Sequence, residues 1–235
     1  MSSGAKHLPK FNLHREKNFL LLAILAALFL NLSCTELKVQ EERKHASVIG
    51  VNEKISFILD RSLITDVKDA PRIERKIENC IDNALRELDS PIQTVSAEIF
   101  RNTVFPDMDY LSVPSSPDSI HTLVKSPEFQ KRIKPLGLRY LFILQSESNT
   151  SQLEWGGLDG LVIWLWDKKT QMSASIIDLA KGFDAGGVTI EAGGTNWIVY
   201  FALPFGFPAI TEGPACRELG KQIVNFVTVS RQTEK

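Results

Sequence analysis

The sequence predicts an α/β fold: a single mixed-sheet sandwich in which parallel βα units are followed by an antiparallel meander and a C-terminal helix. Three observations lead there. Helical stripes alternate with short β-rich runs in the first half of the chain. One of those runs, Leu138–Gln145, is apolar enough to be a central buried strand. The residues after it are a succession of β-rich segments and glycines, closed by one amphipathic helix.

The elements follow in order. Ser47–Val51 and Ile55–Leu59 read as short strands split by the turn pair Asn52-Glu53. Pro71 marks the first turn of a helix, where its missing N–H costs little. Ile73, Ile77, Cys80, Ile81, Ala84, Leu85 and Leu88 then recur at helical spacing until Asp89-Ser90-Pro91. Ile92–Val95 is a strand and Ala97–Val104 a short helix. Residues 106–118 contain Pro106, Pro114 and Pro117 and read as a loop. A helix beginning at about Ser119 or Ser126 and interrupted by Pro127 runs to Lys134, and Gly137 caps it. After Leu138–Gln145, the polar, Gly-rich residues 146–160 lead into a hairpin of Gly160–Asp167 and Met172–Leu179 around the polar turn Lys168-Lys169-Thr170-Gln171. On the first of these strands Trp164 and Trp166 share one face, with Ile163 and Leu165 on the other. Gly186–Ile190 and Asn196–Leu203 continue the meander. A last helix starts near Thr211 or Gly213 and buries Cys216, Leu219, Ile223, Phe226 and Val227.

Upstream of all this lies an address. Residues 1–17 are polar and basic, and Phe19–Leu30 is an uncharged apolar run. Twelve helical residues span about 18 Å, too short for a hydrocarbon core of about 30 Å, so the run reads as the core of a secretory signal over residues 1–33. Leu30-Asn31-Leu32-Ser33-Cys34 resembles the lipobox of bacterial lipoproteins, with Asn31 in place of the usual aliphatic residue. The resemblance implies removal of residues 1–33 and acylation (diacylglycerol, palmitate) of Cys34. By the enterobacterial sorting pattern, Thr35 after it implies the outer membrane, with the domain facing the periplasm. Residues 34–46 then read as a polar tether, and 47–235 as a single domain.

Composition narrows the function. The 235 residues hold 27 Lys+Arg and 28 Asp+Glu, and residues 1–33 carry Lys6, Lys10, Arg15, Lys17 and Glu16, so the remainder is acidic by four charges. That gives no footprint for nucleic acid. The histidines are His7, His14, His45 and His121. The first two leave with the signal and His45 lies in the tether, so neither a His-rich metal site nor a Ser-His-Asp triad has its parts, and no G-x-S-x-G elbow is present. Gly156-Gly157, Gly186-Gly187 and Gly193-Gly194 match no phosphate-loop pattern and read as turns or bulges. No catalytic residue, cofactor or metal is assigned. With Cys34 acylated, Cys80 and Cys216 remain as a pair, each on the buried stripe of a helix, and an exported protein would join them in a disulfide closing a loop of about 137 residues.

The order of elements is similar to that of the TolB amino-terminal and curli-assembly envelope lipoprotein domains. Local phrases resemble a group of uncharacterised proteobacterial lipoproteins: Leu136-Gly137-Leu138-Arg139-Tyr140-Leu141, the segment Ser173–Leu179, Gly194-Thr195-Asn196-Trp197, and Pro208–Glu212 with Ala215–Gly220. The resemblance implies a fold and a compartment and carries no activity.

What remains is the aromatic content of residues 155–207, with Trp155, Phe205 and Phe207 as candidate partner-binding residues beside glycines and prolines. The expected function is a membrane-anchored, non-catalytic adaptor or assembly factor for a periplasmic partner. One alternative is an envelope hydrolase or transferase using Asp178, Asp184 or Glu191 beside another titratable group. A second is a subunit of an oligomeric secretion assembly. The poor alternation of 160–179 argues against a pore-forming hairpin.

Overall fold

The computed structural model describes residues 36–44, 48–50, 52–64, 67–151, 154–158, 161–200, 204–207 and 210–228. They fall in one compact unit, Thr35–Lys235; Met1–Cys34 is a separate unit, none of whose residues is described. The expected signal, the lipobox, His7, His14 and His45 therefore lie outside the described residues.

The fold is α/β, as the pattern predicts. Eight strands form one mixed sheet: β1 (Glu36–Arg43), β2 (Lys54–Leu59), β3 (Gln93–Val95), β4 (Leu138–Thr150), β5 (Glu154–Leu158), β6 (Leu161–Asp178), β7 (Phe183–Tyr200) and β8 (Pro204–Phe207). Their order is β1-β7-β6-β4-β2-β3, with β5 on β6 and β8 on β7. β2 is parallel to both β3 and β4, while β4, β6, β7 and β1 pair antiparallel. Among the described residues there are five α-helices: α1 (Ala70–Glu87), α2 (Ala97–Val104), α3 (Pro117–Val124), α4 (Pro127–Ile133) and α5 (Glu212–Thr228). Among the described residues no helix is long and apolar enough to cross a membrane.

Two cores flank the sheet. On one face α1 and α5 bury Ile77, Ile81, Leu85, Leu219, Ile223 and Phe226 against Phe57, Tyr140, Phe142 and Ile190. On the other, α2, α3 and α4 bury Phe100, Ile120 and Phe129 against Ile58, Leu141 and Ile143. β2 and the first half of β4 are buried on both faces, which is why their sequences are continuous apolar runs.

α1 and α5 are joined by the disulfide Cys80–Cys216, with Cα atoms 6.3 Å apart. One turn further along both helices, Gly220 faces Ala84; a Cβ on Gly220 would stand 2.5 Å from that of Ala84. The two helices thus run parallel along a seam of small and bonded residues.

Four expectations are corrected. Residues 48–50 are not strand. Residues 36–43, read as a tether, form the edge strand β1, paired with β7 from Glu36–Gly193 to Arg43–Gly186. Its alternating charges, which suggest solvated chain, suit an edge, where charge blocks further pairing. The turn expected at 168–171 does not exist, for β6 runs unbroken through it. Lys168 and Lys169 bond or pair with Glu212 and Glu191, and Thr170 is buried with its hydroxyl 2.7 Å from that of Thr211. The hairpin turn lies instead at 179–182, so the two expected strands of the later meander are the single strand β7. Finally, the helix expected before Gly137 is two helices, because Ser116-Pro117 and Ser126-Pro127 each cap a new one.

Candidate functional site

The long hairpin β6–β7 outruns its neighbours. β4 pairs with β6 as far as Lys168, opposite Thr150; the next residue, Ser151, donates its N–H to the Asp167 carbonyl and its hydroxyl accepts from the Asp167 N–H, both at 2.9 Å, and among the described residues β1 covers β7 as far as Gly193. α5 begins at the same level, where Glu212 meets Lys168 at 3.4 Å. Beyond it, residues 161–166 of β6 and 194–200 of β7 lie in paired strands, and among the described residues the strands that flank them are β5 and β8. The result is a four-stranded ribbon, β5-β6-β7-β8, extending about 23 Å past the body at ~3.3 Å per residue.

Register fixes which residues share its faces. Trp155 lies opposite Trp164, which lies opposite Ile198; Val162 lies opposite Tyr200. These positions and Trp166 continue the face that α1 and α5 cover in the body. On the other face Leu165, Trp197 and Phe207 form one row, and Ile163, Val199 and Phe205 the next. All four tryptophans of the chain stand in this ribbon. Both faces are rich in large apolar residues, the pattern of a strand region that is covered on both sides. The candidate partner residues Trp155, Phe205 and Phe207 are thus brought into one element; their side chains lie outside the described residues. The expectation that Trp164 and Trp166 share one face, with Ile163 and Leu165 on the other, is the alternation observed.

The outer strands bring their own property. β5 pairs on one side with β6 and β8 on one side with β7, so each presents an outer edge with backbone groups left unpaired among the described residues.

The strand-end carboxylates have other partners. Asp178 is buried; its Oδ2 accepts from Arg139 at 2.8 Å, and its Oδ1 accepts from the N–H groups of Ala180 and Lys181 at 3.1 and 3.0 Å, which fixes the β6–β7 turn. Asp184 accepts from Lys44 at 2.6 Å and from the Gly186 N–H at 2.9 Å. This hydrogen bond, and the charge behind it, raise the pKa of Lys44. Glu191 lies 3.8 Å from Lys169. Each of these carboxylates is engaged with a cation, and Asp178 and Asp184 also accept from backbone N–H groups.

The structure does bring together one set that sequence reasoning treats as scattered. A cleft of about 380 Å³ is lined by His121 with Glu42, Lys44, Asp118, Ser175 and Asp184. These residues come from β1, α3, β6 and the start of β7, and no local spacing signals their meeting. A second cleft of about 380 Å³ lies over the disulfide, between Ile73, Ile77, Met172 and Ile210, with Lys76 and Glu212 at its rim. The Glu212 carboxyl is held below its usual range by its hydrogen bond from Lys76, against some desolvation. Among the described residues no group of three or more His, Cys, Asp or Glu side chains is placed to hold a metal ion.

No family model and no curated protein matches the chain. Two solved structures resemble it at low similarity. The PelC dodecamer from Paraburkholderia phytofirmans is 11% identical, with a TM-score of 0.39, and the match covers 83% of this chain and 100% of that one. A point variant of the same dodecamer, in another crystal form, is 11% identical with a TM-score of 0.36 over 82% and 99% of the two chains. At that similarity neither assigns this chain an assembly or a function.

Proposed function

We propose that the chain is a lipid-anchored protein of the bacterial cell envelope that works by association rather than by catalysis, and that the β5-β6-β7-β8 ribbon is its association surface. The single observation that carries the reading is the ribbon itself. It extends past both the sheet and α5, holds every tryptophan, and is apolar in sequence on both faces. Apolar area of that extent, standing away from the core, is stable in water only when something else covers it. Acylation of Cys34 after removal of residues 1–33 supplies the anchor, and two or three acyl chains hold a protein stably where one would not. The disulfide fits an oxidising compartment outside the cytosol. The strand-end carboxylates Asp178, Asp184 and Glu191 are engaged by Arg139, Lys44 and Lys169, which favours the association reading over a hydrolase built on them. An adaptor for a periplasmic partner and a subunit of an oligomeric secretion assembly are two forms the association can take.

The test is photocrosslinking in intact envelopes, with a photoreactive amino acid at position 155 or 205 and a control at Gln40 on the exposed edge strand. Adducts of envelope components, lipid or protein, that form preferentially from the ribbon positions support the reading. Yields equal to the control overturn it. The mass of the N-terminal peptide checks the anchor: an unmodified Met1 would remove it.

A further inference from the structure

β1 decides where the anchor sits. Its first residue, Glu36, is level with Gly193, and the register runs away from there to Arg43 beside Gly186. The chain therefore enters β1 from the ribbon end of the sheet. Cys34 precedes Glu36 by two residues, which at full extension reach no more than about 7 Å. Whatever is attached to Cys34 starts within that reach of the level at which the ribbon leaves the body, where Thr195 bonds Asp167 at 2.7 Å. A free tether of a dozen residues would have let the domain turn any side to the membrane. A paired strand does not.

The ribbon then continues for seven residues of β7, from Gly194 to Tyr200, or about 23 Å. In the sequence Asp159-Gly160 joins β5 to β6, and Phe201-Ala202-Leu203 joins β7 to β8. Within 154–166 and 196–207 the sequence has two charged residues, Glu154 and Asp159, and no lysine or arginine. Acyl chains that start beside the base of such a ribbon put the ribbon against the same bilayer.

Resting on the lipid-anchored reading above, we infer that the ribbon is a second membrane contact, lying at the headgroup level of the leaflet that holds the acyl chains of Cys34. Depth follows from the backbone and the composition. Among the described residues the outer edges of β5 and β8 have no strand partner, and hydrocarbon does not tolerate open N–H and C=O groups, so the ribbon does not enter the leaflet core. Tryptophan and tyrosine favour the interface, where an apolar ring meets lipid and its polar atom meets water or headgroups. Trp155, Trp164, Trp166, Trp197 and Tyr200 are those residue types. Two contacts at one level, one covalent and one apolar, fix the orientation of the domain as a single lipid anchor cannot.

Because all four tryptophans lie in the ribbon, intrinsic fluorescence reports on it alone. The full chain is expressed, processed, purified in detergent and reconstituted into phosphatidylethanolamine–phosphatidylglycerol vesicles. The acyl chains carry bromine near the headgroup in one preparation, near the chain end in a second, and none in a third. The expected result is a blue shift on reconstitution and a loss of emission that is larger with shallow than with deep bromine. Emission unchanged by either brominated lipid overturns the inference. If it is nevertheless blue-shifted, a protein or a second copy covers the ribbon, and the association reading stands while the membrane contact falls. Quenching stronger with deep bromine also overturns it. Peptide mass is read on the same sample: quenched tryptophans with unmodified Cys34 keep the ribbon contact and remove the anchor.

Discussion

Replacing Gly220 by Ala tests the helix seam that the disulfide spans. In isolation the change favours α5, since Ala is better than Gly inside a helix by about 1 kcal/mol. The structure reverses the sign. The new Cβ would stand 2.5 Å from the Cβ of Ala84, well inside the contact distance of about 3.5–4.0 Å between carbon atoms. α1 and α5 would have to part by more than 1 Å, yet Cys80 and Cys216 hold them together one turn away. Overpacking of this kind costs about 1–3 kcal/mol, so after the propensity gain the net loss is about 1 kcal/mol, rising toward 2 because the seam cannot open freely. For a domain of this size that lowers Tm by roughly 2–8 °C, read by thermal unfolding under oxidising conditions. The double variant Gly220→Ala/Ala84→Gly restores the spacing and recovers the overpacking loss. A Gly220→Ala protein as stable as the parent, or more so, would refute the close approach of the two helices.

Three further outcomes are expected. Reducing the Cys80–Cys216 bond, or replacing both cysteines by Ser, releases a loop spanning 136 residues and lowers unfolding stability by about 2–5 kcal/mol; urea curves with and without reductant measure it, and coincident curves would count against the bond. Gly186 has φ 132°, and a Cβ there would lie 2.0 Å from the Glu42 carbonyl oxygen, so Gly186→Ala detaches the end of β1 and exposes 36–43 to proteolysis, while the same change at Gly193, where a Cβ meets nothing within 4 Å, leaves the strand protected. Burial, assisted by the nearby charges of Asp82 and Glu74 and opposed by the Ala97 N–H, raises the pKa of Glu78; the stability it contributes is complete below its unfolded value and is lost as pH rises through the higher folded one, so Glu78→Gln gains on the parent between about pH 4 and neutrality and matches it in more acid solution.

How much of this was legible in the sequence depends on whether a residue's partner is near or far along the chain. The α1 stripe from Ile73 to Leu85, the buried run of β4 and the helix of Cys216 to Val227 each declare themselves by spacing, because one face meets one core. The segment Lys168-Lys169-Thr170-Gln171 does not. Four polar residues in a row look like a turn, and only the distant Glu212, Glu191 and Thr211 make them a strand. β1 is hidden for the opposite reason: its residues up to Glu42 are exposed and paired through the backbone, which leaves no mark in side-chain type, and Arg43, which reaches the Phe226 ring and the Asn225 carbonyl of α5, reads in sequence as one more solvated charge. The aromatics of the ribbon were visible as a composition, but not as one element, since two expected hairpins had to merge into a single long one. The cleft at His121 was invisible because its lining comes from four separated segments.

The pairing of β1 with β7 also has a mechanical side. A pull on the N-terminus directed toward the ribbon end acts along the axis of β1, so the eight rungs from Glu36–Gly193 to Arg43–Gly186 share the load in shear instead of opening one at a time. With the anchor proposed at Cys34, a domain tugged away from the bilayer would load every rung of β1 together.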